Sequence, residues 1–142
     1  MTFGEESSFV LFPLGEKRFA LPAAMVTELA RPGRLQSFPQ RTPLLTGVLA
    51  RRGRIVPVCD IAVALVGVDA PPRKFYLIAN RQFDARAEWT AIPVTGECEL
   101  AACVFQEPGE TLPPYVSGVI YMGAEIVEVI DLEQLIALEG QA

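Results

Sequence analysis

Apolar residues recur in short runs along the chain, and Gly- or Pro-bearing turns separate one run from the next. Phe9 to Leu14 forms the first run, and Gly15-Glu16-Lys17 leads into a second, Arg18 to Leu21. Phe75 to Asn80 resumes the pattern in the second half, and further short runs follow it. Short strands at regular spacing are typical of small β-barrels rather than of a layered α/β sheet. The pattern predicts an all-β fold in which the helices are few and short.

One hairpin stands out just ahead of the midpoint of the chain. Leu45 to Ala50 is an apolar run that ends at the basic turn Arg51-Arg52-Gly53-Arg54. Ile55 to Cys59 returns as a β-branched strand, and Gly53 can adopt the positive φ that a tight turn requires. Asp60 then occupies a position where a helix N-cap is expected. The stretch therefore predicts two strands followed by a short helix.

The same pattern returns near the C-terminus, displaced by half the length of the chain. Gly118 to Ile136 aligns with Gly47 to Leu65, and six of these 19 positions are identical. Two copies of one small β unit that share a core are expected, because neither half has much core of its own. Asp131 is then expected to cap a terminal helix over Leu132 to Leu138. The identical pairs are Gly47 and Gly118, Val48 and Val119, Ile55 and Ile126, Val56 and Val127, Val58 and Val129, and Asp60 and Asp131.

Residues 1–142 are expected to form one domain. Two subdomains, over approximately 15–70 and 75–130, are expected to share a core, with the ends of the chain packing across them. Asp69 to Pro72 lies at the midpoint and is the obvious hinge. Pro22 to Arg31 permits either a helical turn or a strand–turn–strand arrangement, and Arg34 to Phe38 is a candidate strand.

The composition excludes many classes of enzyme. The chain contains no histidine, which removes the commonest general base, the commonest neutral metal ligand and histidine-activated nucleophiles. Cys98 and Cys103 lack the two further ligands that a zinc site requires. We therefore expect no catalytic residue, no metal and no cofactor.

The cellular setting is predicted from three features of the sequence. The N-terminal residues are polar and acidic, unlike those of a secretory signal. No apolar stretch reaches the roughly 18 residues that a membrane span needs. Three cysteines without framework spacing fit a reducing compartment. We expect a cytoplasmic protein that does not insert into a membrane.

Charge is divided unevenly between the two halves of the chain. Residues 1–86 contain all twelve Lys and Arg against seven acids, whereas residues 87–142 contain ten acids and no base. The net charge of −5 is opposite to the basic footprint of a nucleic-acid-binding protein. Such a division favours complementary surfaces. It predicts contact between the basic first half and an acidic surface of a partner or of a second copy, and hence weak self-association.

Two groups of residues are candidates for chemistry or binding. Asp60 and Asp131 occupy equivalent positions in the repeat, as the paired carboxylates of a small hydrolase would. Helix capping is the simpler interpretation, because neither residue precedes the hydroxyl residue and glycine of aspartic-protease sites. Arg51, Arg52 and Arg54 crowd like charges onto one tight turn. They form either a solvated hairpin tip or a surface that faces acidic groups.

Three stretches of the chain resemble the CheW-like domain family. FVLFPLGEKRFALPAAMVTELAR is similar to the family's opening, in which two strands run into a V-x-E-[IL] segment. LLTGVLARRGRIVPVCDI resembles its motif G-V-x-x-x-R-G-x-I-V-P-V-x-D-L, and YVSGVIYMGAEIVEVIDLEQLI resembles its C-terminal signature. The resemblance extends from Phe9 to Leu138.

The resemblance implies two SH3-like, five-stranded β-barrels related by a pseudo-twofold axis, with a short C-terminal helix. It also implies a non-catalytic adaptor in membrane-associated chemosensory arrays. Such an adaptor couples the cytoplasmic tip of a methyl-accepting chemoreceptor to the regulatory domain of a CheA-type histidine kinase. The family's receptor-facing groove lies between the barrels. The residues here that we expect to contact receptor or kinase are Val26, Glu28, Leu29, Arg51, Arg52, Gly53 and Arg54.

One stretch departs from the pattern of that family. Within Trp89 to Val104 the chain has TGECELAACV, where members usually carry a Val-Gly-rich strand followed by Val-Asp-x-Val. The departure suggests a divergent adaptor from an alternative chemosensory or motility system. It also leaves open a CheW-like binding module for a different partner, such as a motility or second-messenger regulator.

Overall fold

A computed structural model of the chain describes residues 5–31, 44–67, 71–83, 86–107 and 112–140. The candidate strand at 34–38 and part of the predicted hinge, residues 69–70, lie outside these ranges. The described ranges form strands, a 3₁₀ turn at Ala23–Met25 and two short helices. These are β1 (Glu6–Leu14), β2 (Lys17–Pro22), β3 (Val26–Ala30), β4 (Leu45–Arg51), β5 (Arg54–Cys59), α1 (Ala62–Leu65), β6 (Phe75–Phe83), β7 (Arg86–Val94), β8 (Glu99–Val104), β9 (Val116–Met122), β10 (Glu125–Ile130) and α2 (Leu132–Gly140).

The strands form two five-stranded sheets. One has the order β8-β1-β2-β10-β9 and the other the order β3-β6-β7-β5-β4. Each sheet contains two antiparallel hairpins, which join through one parallel contact, β2 with β10 in the first sheet and β5 with β7 in the second. The predicted all-β fold of two SH3-like barrels is confirmed.

The barrels differ in how the chain supplies them. The strands β3 to β7 follow one another in sequence, and we call their sheet the continuous barrel. The other sheet, the split barrel, combines β1 and β2 with β8, β9 and β10 from the far end of the chain. Each barrel thus takes one hairpin from each half of the chain. The strands of one sheet therefore come from both sides of the predicted division into 15–70 and 75–130. The segment after β2 follows the strand–turn–strand alternative, with a 3₁₀ turn ahead of β3.

The internal repeat is confirmed by the structure. Strands β4 and β5 precede β9 and β10 by the same half-chain offset at all four strand boundaries. Equivalent bonds follow: Thr46 Oγ1 donates to the Val58 carbonyl at 3.4 Å, and Ser117 Oγ donates to the Val129 carbonyl at 3.3 Å. The parallel contacts also match, since Val58 aligns with Ala91 and Val129 aligns with Ala20. A single offset therefore relates the two barrels.

Closure of the split barrel depends on a glycine. The backbone N–H groups of Gln106 and Val119 each donate to the other residue's carbonyl at 2.9 Å, which joins the end of β8 to β9. The Phe105 ring lies directly over Gly118, where an added Cβ would overlap both the ring and the Gln106 carbonyl oxygen. Only glycine allows this close approach of the two edges.

Apolar side chains fill three connected interiors. The largest lies between the barrels and includes the fully buried Phe12 and Phe19 of the split barrel and Leu77 and Ile92 of the continuous barrel. Each barrel also encloses a smaller cluster of its own. The shared interior explains why neither half of the chain is expected to fold as a separate unit.

The two predicted helix caps have different outcomes. Asp131 Oδ1 accepts the backbone N–H of Gln134 at 3.1 Å, so this cap is confirmed. The prediction for Asp60 is wrong, because α1 has Ile61 at its N-cap and no side chain caps it. The Asp60 carboxylate is bound instead by Arg73, at 3.2 Å from Nε and 2.7 Å from Nη2. Arg73, in the segment before β6, therefore binds the carboxylate that was predicted to cap α1.

Candidate protein-binding site

The residues predicted to contact partners gather where β3 meets the β4–β5 turn. β3 and β4 are the two edge strands of the continuous barrel, and side chains join them. Arg51 Nε donates to Glu28 Oε1 at 2.7 Å, and Arg51 Nη2 donates to the same oxygen. Arg52 Nε donates to Glu28 Oε2 at 2.8 Å. One carboxylate on β3 thus holds two arginines of the turn and links the barrel edges.

The turn has the geometry of a tight hairpin. Arg52 and Gly53 are its central residues, between the paired Arg51 and Arg54. Both have positive φ, 52° and 74°, as in a type I′ turn, whose twist matches that of the flanking strands. Gly53 adopts this conformation freely, whereas Arg52 does so against the preference of a residue with a Cβ. The turn thus fixes the backbone of Arg52, and the hydrogen bond to Glu28 fixes its side chain.

Electrostatics keep this cluster ionised. The Glu28 side chain is 18% exposed, against 38% and 64% for Arg51 and Arg52. Hydrogen bonds from Arg51, and secondly from Arg52, lower the pKa of Glu28 below its ordinary value. With Arg54 included, three cations face one carboxylate. This end of the continuous barrel therefore carries a net positive charge, which suits an acidic partner.

Arg54 has an aromatic neighbour that the sequence did not reveal. Its guanidinium carbon lies 4.4 Å from the centre of the Trp89 ring, a cation–π arrangement. Trp89 also packs in part against the interior of the continuous barrel. The repeat contained an indication that these two residues lie together. The positions equivalent to Trp89 and Arg54 are Arg18 and Glu125, two residues of opposite charge.

The apolar members of the predicted site divide between core and surface. Val26 is half-buried and packs against the interior that the barrels share, so it supports the site from below. Leu29 is 38% exposed. Ile55, which was not predicted, is 77% exposed beside Arg54. Alternation along β5 could have indicated this, since the next residue, Val56, is fully buried.

Other groups that might have carried chemistry are occupied or unreactive. Asp60 binds Arg73 and Asp131 caps α2. Burial raises the pKa of Cys98 to about 11 and also raises that of Cys103, so both thiols stay protonated at neutral pH. Across the described ranges, no three acidic, cysteine or histidine side chains cluster as a metal site would require. Nor is any helix in that part of the chain long and apolar enough to cross a bilayer.

Comparison with known proteins points to one family. A family model described as the CheW-like domain matches residues 8–140. Protein FrzA of Myxococcus xanthus is 34% identical over 56 residues, which are 39% of this chain and 35% of FrzA, so the alignment spans about a third of that relative.

A solved structure agrees with this assignment. The scaffolding protein TtCheW from Thermoanaerobacter tengcongensis matches with a TM-score of 0.74 over 93% of this chain and 88% of that one, at 20% identity. At this identity the likeness establishes the shared fold. With nearly the whole length covered by the family model, the chain belongs to the CheW-like domain family.

Proposed function

We propose that this protein couples the cytoplasmic tip of a methyl-accepting chemoreceptor to the regulatory domain of a CheA-type histidine kinase. One observation carries the proposal: Glu28 gathers Arg51 and Arg52 at the place where the family's V-x-E-[IL] segment and turn arginine would meet. On this proposal the protein acts in the cytoplasm and is recruited to membrane-associated receptor arrays.

The surface around the turn has the make-up of a protein interface. Exposed Ile55 and Leu29 supply apolar contact, and the arginines supply a charged rim that selects acidic partners and speeds their approach. Because the Glu28 bonds already order Arg51 and Arg52, a partner would lose little side-chain entropy on binding them.

A co-sedimentation experiment tests the proposal. Wild type, Arg52→Glu and Lys74→Glu are each mixed with the kinase regulatory domain and with receptor tips, after circular dichroism has shown that all three are folded. Lys74 is exposed on another part of the surface and is the matched charge reversal. We expect wild type and Lys74→Glu to bind and Arg52→Glu to lose at least one partner.

Two results would count against this assignment. Equal binding by Arg52→Glu and wild type would remove the basic turn from the interface. If neither protein bound receptor or kinase, the CheW-like fold would serve another partner, and a motility or second-messenger regulator would be tested next.

We also infer weak head-to-tail association between copies. At the equivalent end of the split barrel, Glu99, Glu125 and Glu128 outnumber Lys17 and Arg18, opposite to the excess of cations at the basic turn. Sedimentation velocity at about 0.02 M and about 0.5 M salt tests this, because screening weakens attraction between exposed charges. Association that did not weaken with salt would contradict the inference.

A further inference from the structure

We infer that Arg54 and Trp89 form a separate acid-reading subsite, which takes one carboxylate of a partner protein together with an aliphatic side chain next to it. The inference rests on the proposed protein-binding role of this end of the continuous barrel. It concerns a pair of residues that lies beside the Glu28 cluster and is not bound to it.

The split barrel contains an internal template for such a subsite. There Arg18 on β2 binds Glu125 on β10 in two places, Nη2 to Oε1 at 2.6 Å and Nε to Oε2 at 3.2 Å. In the continuous barrel the positions equivalent by the repeat hold Trp89 and Arg54. β5 therefore carries the Arg54 guanidinium where β10 carries the Glu125 carboxylate. On β7 the Trp89 indole takes the place that Arg18 has on β2.

Arg54 lies over the face of Trp89, with its guanidinium carbon 4.4 Å from the ring centre. A guanidinium that lies over a ring contacts it through its flat face, and its N–H groups point from the edge of the plane. Arg51 and Arg52 share Glu28. No ion pair joins Arg54 to a carboxylate among the residues that the structure describes. Arg54 is thus the cation of this turn best placed to bind an external acid.

A cavity beside Arg54 provides room for the partner. β5 and β7 are in register only at Val58 and Ala91, whereas β10 and β2 are in register at two positions. Pro57 stands where the split barrel has Glu128, and proline has no N–H with which to extend the ladder. A cavity of about 440 Å³ lies beside this shorter ladder. It is lined by Arg54, Ile55, Pro57, Glu88 and Trp89.

The lining of the cavity indicates the chemistry of its occupant. Ile55, 77% exposed, and Pro57 offer an apolar wall that an aliphatic side chain would cover. Glu88 lies on the β7 side and would repel a run of acids. A single carboxylate flanked by aliphatic residues would cover the apolar wall of Ile55 and Pro57 and would keep the repulsion from Glu88 small. In the split barrel the same crevice is crossed by the Lys17–Glu128 ion pair at 3.2 Å, so no equivalent subsite is available there.

The protein contains one tryptophan, which reports directly on this subsite. Fluorescence of Trp89 is followed while the full-length protein is titrated with acetyl-Ser-Ile-Glu-Ile-Ser-amide, and in parallel with the peptide that has Gln in place of Glu. We expect saturable binding of the Glu peptide that is about fivefold tighter than that of the Gln peptide. Arg54→Gln should abolish this preference, Arg54→Lys should reduce it, and Lys74→Gln should leave it unchanged.

The outcomes separate this inference from the proposed coupling role. The subsite is refuted by equal affinity for the two peptides, by no saturable signal for either, or by Arg52→Gln lowering affinity as much as Arg54→Gln. All variants are compared at matched thermal stability, measured by circular dichroism. Peptide discrimination without capture of kinase or receptor would support the subsite and overturn the coupling role alone.

Discussion

The β4–β5 and β9–β10 hairpins share strand lengths and a register, yet their tips have opposite chemistry. At the first tip one acid, Glu28, holds two arginines. At the second one arginine, Arg18, is held by two acids, Glu99 at 3.0 Å and Glu125 at 2.6 Å. The surplus of charge is therefore opposite at the two tips: cations in the continuous barrel and acids in the split barrel.

This difference shows how a duplicated unit can separate structure from binding. The hydrogen bonds that Arg18 donates to Glu125 raise the pKa of Arg18 and lower that of Glu125, so these charges are satisfied within the chain. In the continuous barrel the cations exceed the carboxylates, and the remainder faces solvent. One tip therefore stabilises its barrel, while the other retains charge for a partner.

The largest expected effect breaks the split barrel at its closure. Gly118→Ala should lower the free energy of unfolding by about 3 kcal/mol, because the new methyl group must displace Phe105 or the backbone of Gln106. Urea denaturation measures the loss. Gly123→Ala is the control: its Cβ meets nothing within 4 Å, but φ is 62°, so a cost of about 1 kcal/mol is expected. Equal costs would show that closure does not depend on the close approach.

A smaller effect is expected when the acidic tip loses its cation. Arg18→Gln should lower the free energy of unfolding by about 1 kcal/mol, since Glu99 and Glu125 are then left facing each other. Arg54→Gln, the same substitution at the other tip, should cost less than about 0.5 kcal/mol. Chemical denaturation of the two variants measures both losses. A larger loss for Arg54→Gln would reverse the assignment of structural and binding tips.

The next prediction is a stabilising substitution at a buried position of the continuous barrel. Thr90 is 1% exposed, and its hydroxyl has no hydrogen-bond partner among the residues that the structure describes. It lies at the position where the split barrel has the fully buried Phe19. Thr90→Val keeps the shape and removes the buried polar atom, so it should raise the free energy of unfolding by about 0.5–1 kcal/mol. The thermal midpoint should rise accordingly. A fall would mean that the hydroxyl has a partner that the native state needs.

The smallest expected effect is a dependence on pH. The pKa of Glu28 is lowered in the folded state, so its ion pairs stabilise the fold fully above the ordinary Glu pKa of 4.5 and this contribution is lost as pH falls through the lowered value. Glu28→Gln should remove a few tenths of a kcal/mol at pH 7 and less at pH 3. Urea midpoints across that range measure the difference. An equal deficit at both pH values would assign the effect to packing instead of charge.

Local pattern predicted the strands well, and sheet membership poorly. Alternation and turn residues indicated most hairpins, because these depend on neighbours in sequence. The assignment of β1 and β2 to the split barrel depends on Phe19 meeting Glu128, a long-range contact that no local pattern encodes. Similarly, the N-cap signal at Asp60 failed because Arg73 competes for the same carboxylate.

The site shows the same limit. The family motif named Glu28, Arg51 and Arg52 as candidate contact residues, but it did not predict that they bind one another across the barrel edges. Arg54 and Trp89 lie on two strands that are not consecutive in sequence. Their contact is a cation–π contact, which a pattern of charges along the chain does not indicate. Reading the repeat as pairs of equivalent contacts, not only of equivalent residues, would have pointed to it.

The split barrel also has a consequence for the order in which the protein can fold. All five strands of the continuous barrel have been synthesised by residue 94, but the β1–β2 hairpin must wait for β10, which starts at Glu125. At roughly 5–20 residues per second, the β2 edge is exposed on the ribosome for about 5–20 s before its partner emerges. During that interval the β1–β2 hairpin presents one unpaired edge, and its Phe19 and Leu21 still lack the interior in which they will be buried. β10 thus completes a sheet that β1 and β2 begin.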